Sequence, residues 1–169
     1  MYGMKTKKIA IMAILLAVNV AVSFIFIPVG ENLRIYFTFL ITMIIAANFS
    51  FGECVLYAAL EDIISFFIYP TGPFFIGYTI TAVLSIAIYN LFLYKKVTLA
   101  RIAISKALVN ILINVGLGSL WSKILYSNSF IYYAAKSLLK NIVLLPFEII
   151  AFWLIYKAVQ PLFDKYNNY

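Results

Sequence analysis

The chain has 169 residues, 65% of them hydrophobic and 11% charged, with a mean hydropathy of +1.02. So few charges cannot cover a soluble domain of this length, and the composition marks an integral membrane protein. One cysteine, Cys54, and no histidine leave no internal disulfide, no cofactor or metal centre to expect and no ordinary catalytic triad, while the net charge of +7 sits at the ends of apolar runs, as topology-setting charge does, rather than on a nucleic-acid-binding face.

Six apolar runs follow one another, each near the roughly 20 residues that cross a hydrocarbon core. The first extends from Lys8 to about Pro28 and carries Ala10, Ala13, Ala17 and Ala21. Steps of three and four return to one helical face, and small residues there let a second backbone approach closely in lipid. The ladder suits either association with a partner or packing against a helix of the same chain. Lys5, Lys7 and Lys8 before this run resemble the start of a signal peptide, but the run is too long and Pro28-Val29-Gly30-Glu31 offers no small-residue cleavage site. It is expected to remain in the protein.

The second run, Leu33 to Asn48, opens with Arg34 beside Glu31 and Asn32. A guanidinium at a helix end clamps a carboxylate bidentately or snorkels to headgroups. The third, Gly52 to Ile68, carries Glu61 and Asp62 about halfway along, where an ionisable group costs at least a few kcal/mol and needs a polar partner. Neighbours on a helix are about 100° apart, so the two carboxyls face different ways. They read as an ion pair or helix-packing hydrogen bond, or else as the acid and base of a membrane enzyme.

The stretch Tyr69-Pro70-Thr71-Gly72-Pro73-Phe74-Phe75-Ile76-Gly77 interrupts a segment with no charge from Ile63 to Tyr94. Two prolines and two glycines cannot lie in one continuous helix, so two helices must be joined there by a tight aromatic loop. The fourth run is Phe75 to Tyr94 and the fifth Leu99 to about Leu120, with Asn110 and Asn114 one turn apart and Gly116, Gly118 and Trp121 beyond them. Two amides on one face suit the edge of a heteroaromatic ring, or equally an interhelical hydrogen bond. Trp121, Tyr126, Tyr132 and Tyr133 fit a stacking site or an interfacial aromatic belt, and the stretch from Trp121 to Ala135 reads as re-entrant or interfacial. The sixth run, Tyr133 to Leu162, carries Lys136 and Lys140, then Pro146 and Glu148; Pro146 predicts a kink. The runs are continuously apolar, which excludes a barrel and makes strands a poor alternative.

Placing the amino terminus in the cytoplasm puts Lys5, Lys7, Lys8, Lys95, Lys96, Arg101, Lys157 and Lys165 inside, against Arg34, Lys123 and Lys136 outside, with Lys106 and Lys140 within spans. The expectation is an all-α integral membrane protein: one compact domain over 1–169, six transmembrane helices, and both termini cytoplasmic. Aromatics, amides and cations then converge at the outer ends.

Leu33-Arg34-Ile35, Asp62, the segment Tyr69 to Ile80, Ile88-Tyr89-Asn90-Leu91-Phe92, Lys106 to Asn114, Ser119-Leu120-Trp121 with Ile124-Leu125-Tyr126, and Leu139 to Glu148 resemble the substrate-binding S components of energy-coupling factor vitamin transporters, most nearly the folate group. The resemblance implies six helices in a bacterial cell membrane and a vitamin bound near the outer face beneath the first and third outer loops. It also implies no ATPase in this chain, docking through small residues of the first helix onto a transmembrane scaffold that carries two cytoplasmic ATPases, and toppling to deliver the vitamin inward. The chain has no phosphate-binding loop, in keeping with that division of labour.

On this resemblance the substrate residues are Arg34, Phe74, Phe75, Tyr78, Thr79, Asn110, Asn114, Trp121, Tyr126 and Lys136, and the docking residues Ala10, Ala13, Ala17 and Ala21. A flat pterin suits the aromatics, and glutamate carboxylates suit Arg34 or Lys136. The family pattern often has proline where Ile76 stands, asparagine at Gly118 and arginine at Lys136. These departures leave riboflavin, thiamine or a queuosine precursor as alternative substrates.

Overall fold

The computed structural model describes residues 2–28, 34–70, 74–126 and 129–167, with backbone alone at 2–5 and 166–167. Glu31, Asn32 and Leu33 of the first outer loop, and Thr71, Gly72 and Pro73 of the aromatic loop, lie outside the described residues.

Helix α1 spans Tyr2–Ser23 and stops there. Beyond it the aromatic and β-branched residues of Phe24-Ile25-Phe26-Ile27 favour extended backbone, and strand β1 (Phe26–Pro28) pairs antiparallel with β2 (Arg34–Tyr36), Ile27 opposite Ile35. Pro28 ends its strand, where a missing N–H costs least. This hairpin corrects two expectations, since the first run is not helical to Pro28 and strands do form. The second run, expected to be helical from Leu33, yields only the 10-residue α2 (Phe39–Asn48).

Helices α3 (Phe51–Ile68) and α4 (Ile76–Leu93) flank the aromatic loop as expected. α5 (Leu99–Leu108) continues through a π-helical segment, Val109–Leu117, into α6 (Gly118–Tyr126), so the fifth run is helical past Leu120. α7 (Phe130–Asn167) is one 38-residue helix that continues through both Pro146 and Pro161, so neither proline interrupts it. Counting α5 to α6 as one, the described residues form six helices. By length and composition Thr6–Ser23, Ile76–Leu93, Leu99–Tyr126 and Phe130–Lys165 are able to cross a membrane; α2 is a shorter apolar helix, and α3 carries Glu53, Glu61 and Asp62.

α4 lies at the centre, packed on α2, α3, α5 and the π segment. Met43, Ile45, Ile86, Leu93, Ile102 and Phe152 are fully buried around it. The turns after α2 and α4 are tied by side chains that take up exposed helix ends. Asn90 Nδ2 donates to the carbonyls of Ala46 (2.8 Å) and Phe49 (2.9 Å) at the end of α2, and Arg101 Nη1 donates to Phe92 O (2.9 Å) at the end of α4. Before α3, Glu53 accepts from the Ser50 N–H at 2.8 Å and pairs with Lys8 of α1, also at 2.8 Å. Helix ends fixed in this way hold the opposite, hairpin side of the bundle in register.

Candidate functional site

Four elements bring aromatic rings together at the start of α4. Phe75 precedes the helix in extended backbone, and its ring folds back over Gly77, where no side chain opposes it. The ring meets Trp121 of α6 edge-on at 5.1 Å and Tyr78 at 5.6 Å. The indole is fixed by Trp121 Nε1 donating to Thr81 Oγ1 at 2.9 Å, and the Thr81 hydroxyl in turn donates to Gly77 O at 2.9 Å. Tyr78 hydrogen-bonds with Tyr126, and Tyr36 of β2 and Tyr133 of α7 are neighbours of the same pair. Edge-on rings tied at their polar ends form a wall against which a flat heterocycle can stack.

Phe74 and Thr79 do not join that wall. Phe74 is exposed and packs on Phe66 at 5.2 Å, while the buried Thr79 donates its hydroxyl to Asp62 at 2.6 Å. Thr79 therefore ties α4 to α3 and shields the Asp62 carboxylate. Glu61 turns the other way, accepting from Ser65 at 3.3 Å, so the two carboxyls separate as the helix spacing required.

The amides belong to a polar stripe between the π segment and α7. Lys106, only 3% exposed, pairs with Glu148 Oε1 at 3.1 Å and lies over the Phe39 ring at 3.9 Å. Asn110 Nδ2 donates to Glu148 Oε2 at 3.0 Å, and Asn114 Nδ2 donates to Asn110 Oδ1 at 3.1 Å. Ser137 adds a hydrogen bond to Asn114 O at 3.3 Å. Asn110 is thus consumed by interhelical bonding, whereas Asn114 is half-buried at the end of the chain. The wider turn of a π segment, a feature frequent at functional sites, carries both.

The cations are spread around the hairpin. Arg34 is exposed, its guanidinium 4.3 Å from the centre of the Phe26 ring, and its carbonyl accepts from Lys140 Nζ at 3.2 Å. Lys136 Nζ lies 4.8 Å from the Tyr132 ring. On α1, Ala10, Ala13, Ala17 and Ala21 are all exposed, with Met12, Leu15, Leu16 and Val20 on the inward face. Packing against a helix of the same chain does not account for the ladder.

No protein-family model matches the chain. Over 152 residues it is 30% identical to the folate transporter FolT of Leuconostoc mesenteroides subsp. mesenteroides, a match covering 85% of this chain and 81% of that protein. The chain belongs to the FolT family. A second FolT folate transporter, from Clostridium novyi, is 28% identical over 105 residues, covering 62% of this chain and 61% of that protein. A crystal structure of FolT bound with folic acid superposes with a TM-score of 0.82 at 32% identity, covering 89% of this chain and 92% of that one. A FolT-family chain is an energy-coupling factor S component of the folate group, a transport protein of the membrane and not an enzyme. The reading of Glu61 and Asp62 as a catalytic pair therefore falls.

Several parts of this FolT-family site were not singled out from sequence. Tyr36 was missed because its segment read as helix, and Thr81 because a lone threonine in an apolar run carries no pattern. The Lys106–Glu148 pair had a usable signal, since a cation and an anion buried in separate apolar runs each require a partner.

Proposed function

We propose that the chain binds folate at the extracellular side of a bacterial cell membrane and delivers it inward when docked on a transmembrane scaffold with two cytoplasmic ATPases. The observation that carries the reading is the wall of Phe75, Trp121, Tyr78 and Tyr126, in a chain 32% identical to a folic acid-bound FolT. Phe75, Tyr78, Trp121 and Tyr126 hold the pterin, Asn114 reads its edge with Asn110 behind it, and Arg34 or Lys136 takes a glutamate carboxylate. Phe74 flanks the entrance, and Thr79 acts on the site through α4.

The whole chain, 1–169, forms one domain with six spans and both ends cytoplasmic. The basic residues at the ends of α1, α4 and α7 support that orientation. The exposed alanine ladder of α1 supports docking there, because close backbone approach is what lipid-embedded association uses. Calorimetry with folic acid on detergent-purified protein tests the reading: binding at or below micromolar concentration, with the vitamin recovered unchanged, is expected. No folic acid binding while riboflavin, thiamine or a deazapurine binds would reassign the substrate and leave the transport role standing.

A further inference from the structure

The polar stripe has a direction. Glu148 is paired with Lys106, and an ionised carboxylate only accepts hydrogen bonds, so Asn110 must present its NH2 to Oε2. That choice turns Asn110 Oδ1 to the far side, where only a donor fits, and Asn114 meets it with Nδ2. Each amide is locked against a half-turn flip by the one before it. Asn114 comes last, and among the described residues its Oδ1 accepts no hydrogen bond. It offers one acceptor and its remaining N–H in a fixed order.

We propose that Lys106, acting through Glu148 and Asn110, is a positioning residue that fixes the Asn114 amide and so selects a ring edge with a donor beside an acceptor over the reversed edge. The N3–H and C4=O of a 2-amino-4-oxopteridine make the first kind of edge. A 2,4-diaminopteridine, with a bare N3 beside a 4-amino group, makes the second. An unrestrained asparagine flips to serve either, whereas a locked one sets donor against donor and acceptor against acceptor. Lys106 itself is sealed beneath the Phe39 ring. The inference rests on the proposed function, with Asn114 in the pterin site.

Calorimetry with folic acid and with aminopterin, which differs from it only in a 4-amino for a 4-oxo group, separates the two ideas. The wild-type protein should prefer folic acid by on the order of ten- to a hundredfold. Glu148→Gln presents either end of its amide to Asn110, and Lys106→Met removes the ammonium that pairs with the carboxylate. Either should bring the two affinities within about threefold, mostly by weakening folic acid. Lys106→Arg keeps the charge and should keep the preference. Both ligands weakened equally, with their ratio kept, would mean a merely structural stripe and overturn the inference. Equal affinities in the wild-type protein overturn it without any variant and leave the folate reading intact. Failure of the wild-type protein to bind either pteridine removes both.

Discussion

Gly77→Ala tests whether the Phe75 ring belongs to the binding wall. Gly77 is buried in the first turn of α4, and a methyl added there would stand 2.8 Å from Phe75 Cζ and 2.9 Å from Cδ1, with Cε1 nearer still. Carbon atoms settle at about 3.5–4.0 Å, so the ring has to swing outward. Such a swing disturbs the edge contact with Trp121 at 5.1 Å, whose indole is held in place by Nε1 donating to Thr81. Each aromatic pair is worth about 0.5–1.5 kcal/mol; losing the Phe75 edge from Trp121 and from a stacked pterin should cost roughly 1–3 kcal/mol, about five- to a hundredfold in affinity. The fold should not suffer, since alanine in a helix is favoured over glycine by roughly 0.5–1 kcal/mol. Calorimetry with folic acid gives the affinity, and near-ultraviolet circular dichroism gives the environment of Trp121, with Trp153 as the other indole. A melting temperature held or raised with weakened binding and a changed indole signal is expected. Unchanged affinity with a changed indole signal would refute the reasoning, because the ring would then have moved without consequence for the ligand.

Replacing Ala13 or Ala17 with Trp should abolish co-purification with the scaffold and uptake into vesicles, while folic acid binding to the isolated chain stays within about twofold; lost binding with intact association would place the ladder inside the bundle. In a Cys54→Ala background, an impermeant thiol reagent outside intact cells should label Tyr69→Cys and reach Thr98→Cys only after permeabilisation, and the reverse pattern overturns the orientation. Neutralising whichever of Arg34 and Lys136 holds the glutamate carboxylate should cost roughly 1.5–3 kcal/mol for folic acid. Pteroic acid, which lacks the glutamate, should lose little on the same change; equal losses for both ligands would show that neither cation touches the tail.

Helices α3, α4 and the fifth run were legible because each is set off by a charge, a cap or a proline-glycine loop. Phe75 stood out because it adjoins the proline-glycine loop, whereas its edge contact with Trp121 is visible only in the folded chain. The hairpin was not, because Phe24 to Pro28 is as apolar as the helix before it, and periodicity cannot separate a short apolar strand from a helix end. The π segment leaves no composition signal, so the bonding of Asn110 to Glu148 and of Asn114 to Asn110 became visible only in three dimensions. Thr79 is expected at the site from the family resemblance; it follows Tyr78 on the helix, but consecutive helical residues diverge and its hydroxyl serves Asp62.

The brevity of α2 has a consequence for the surrounding lipid. At about 1.5 Å per residue, its 10 residues rise about 15 Å, half of a ~30 Å hydrocarbon layer, while the 22 residues of α1 rise about 33 Å. The apolar collar is therefore uneven around the circumference, and the hairpin completes its low side with strand edges whose free amides and carbonyls must meet water or protein rather than acyl chains. A bilayer accommodates such hydrophobic mismatch by thinning locally or by tilting the inclusion, each at fractions of a kcal/mol per ångström. An inclusion with one tall and one short flank has its lowest energy off the membrane normal, and the angle shifts with acyl-chain length. Lipid thickness thereby becomes a variable of the protein's resting attitude, set by the shortness of one helix.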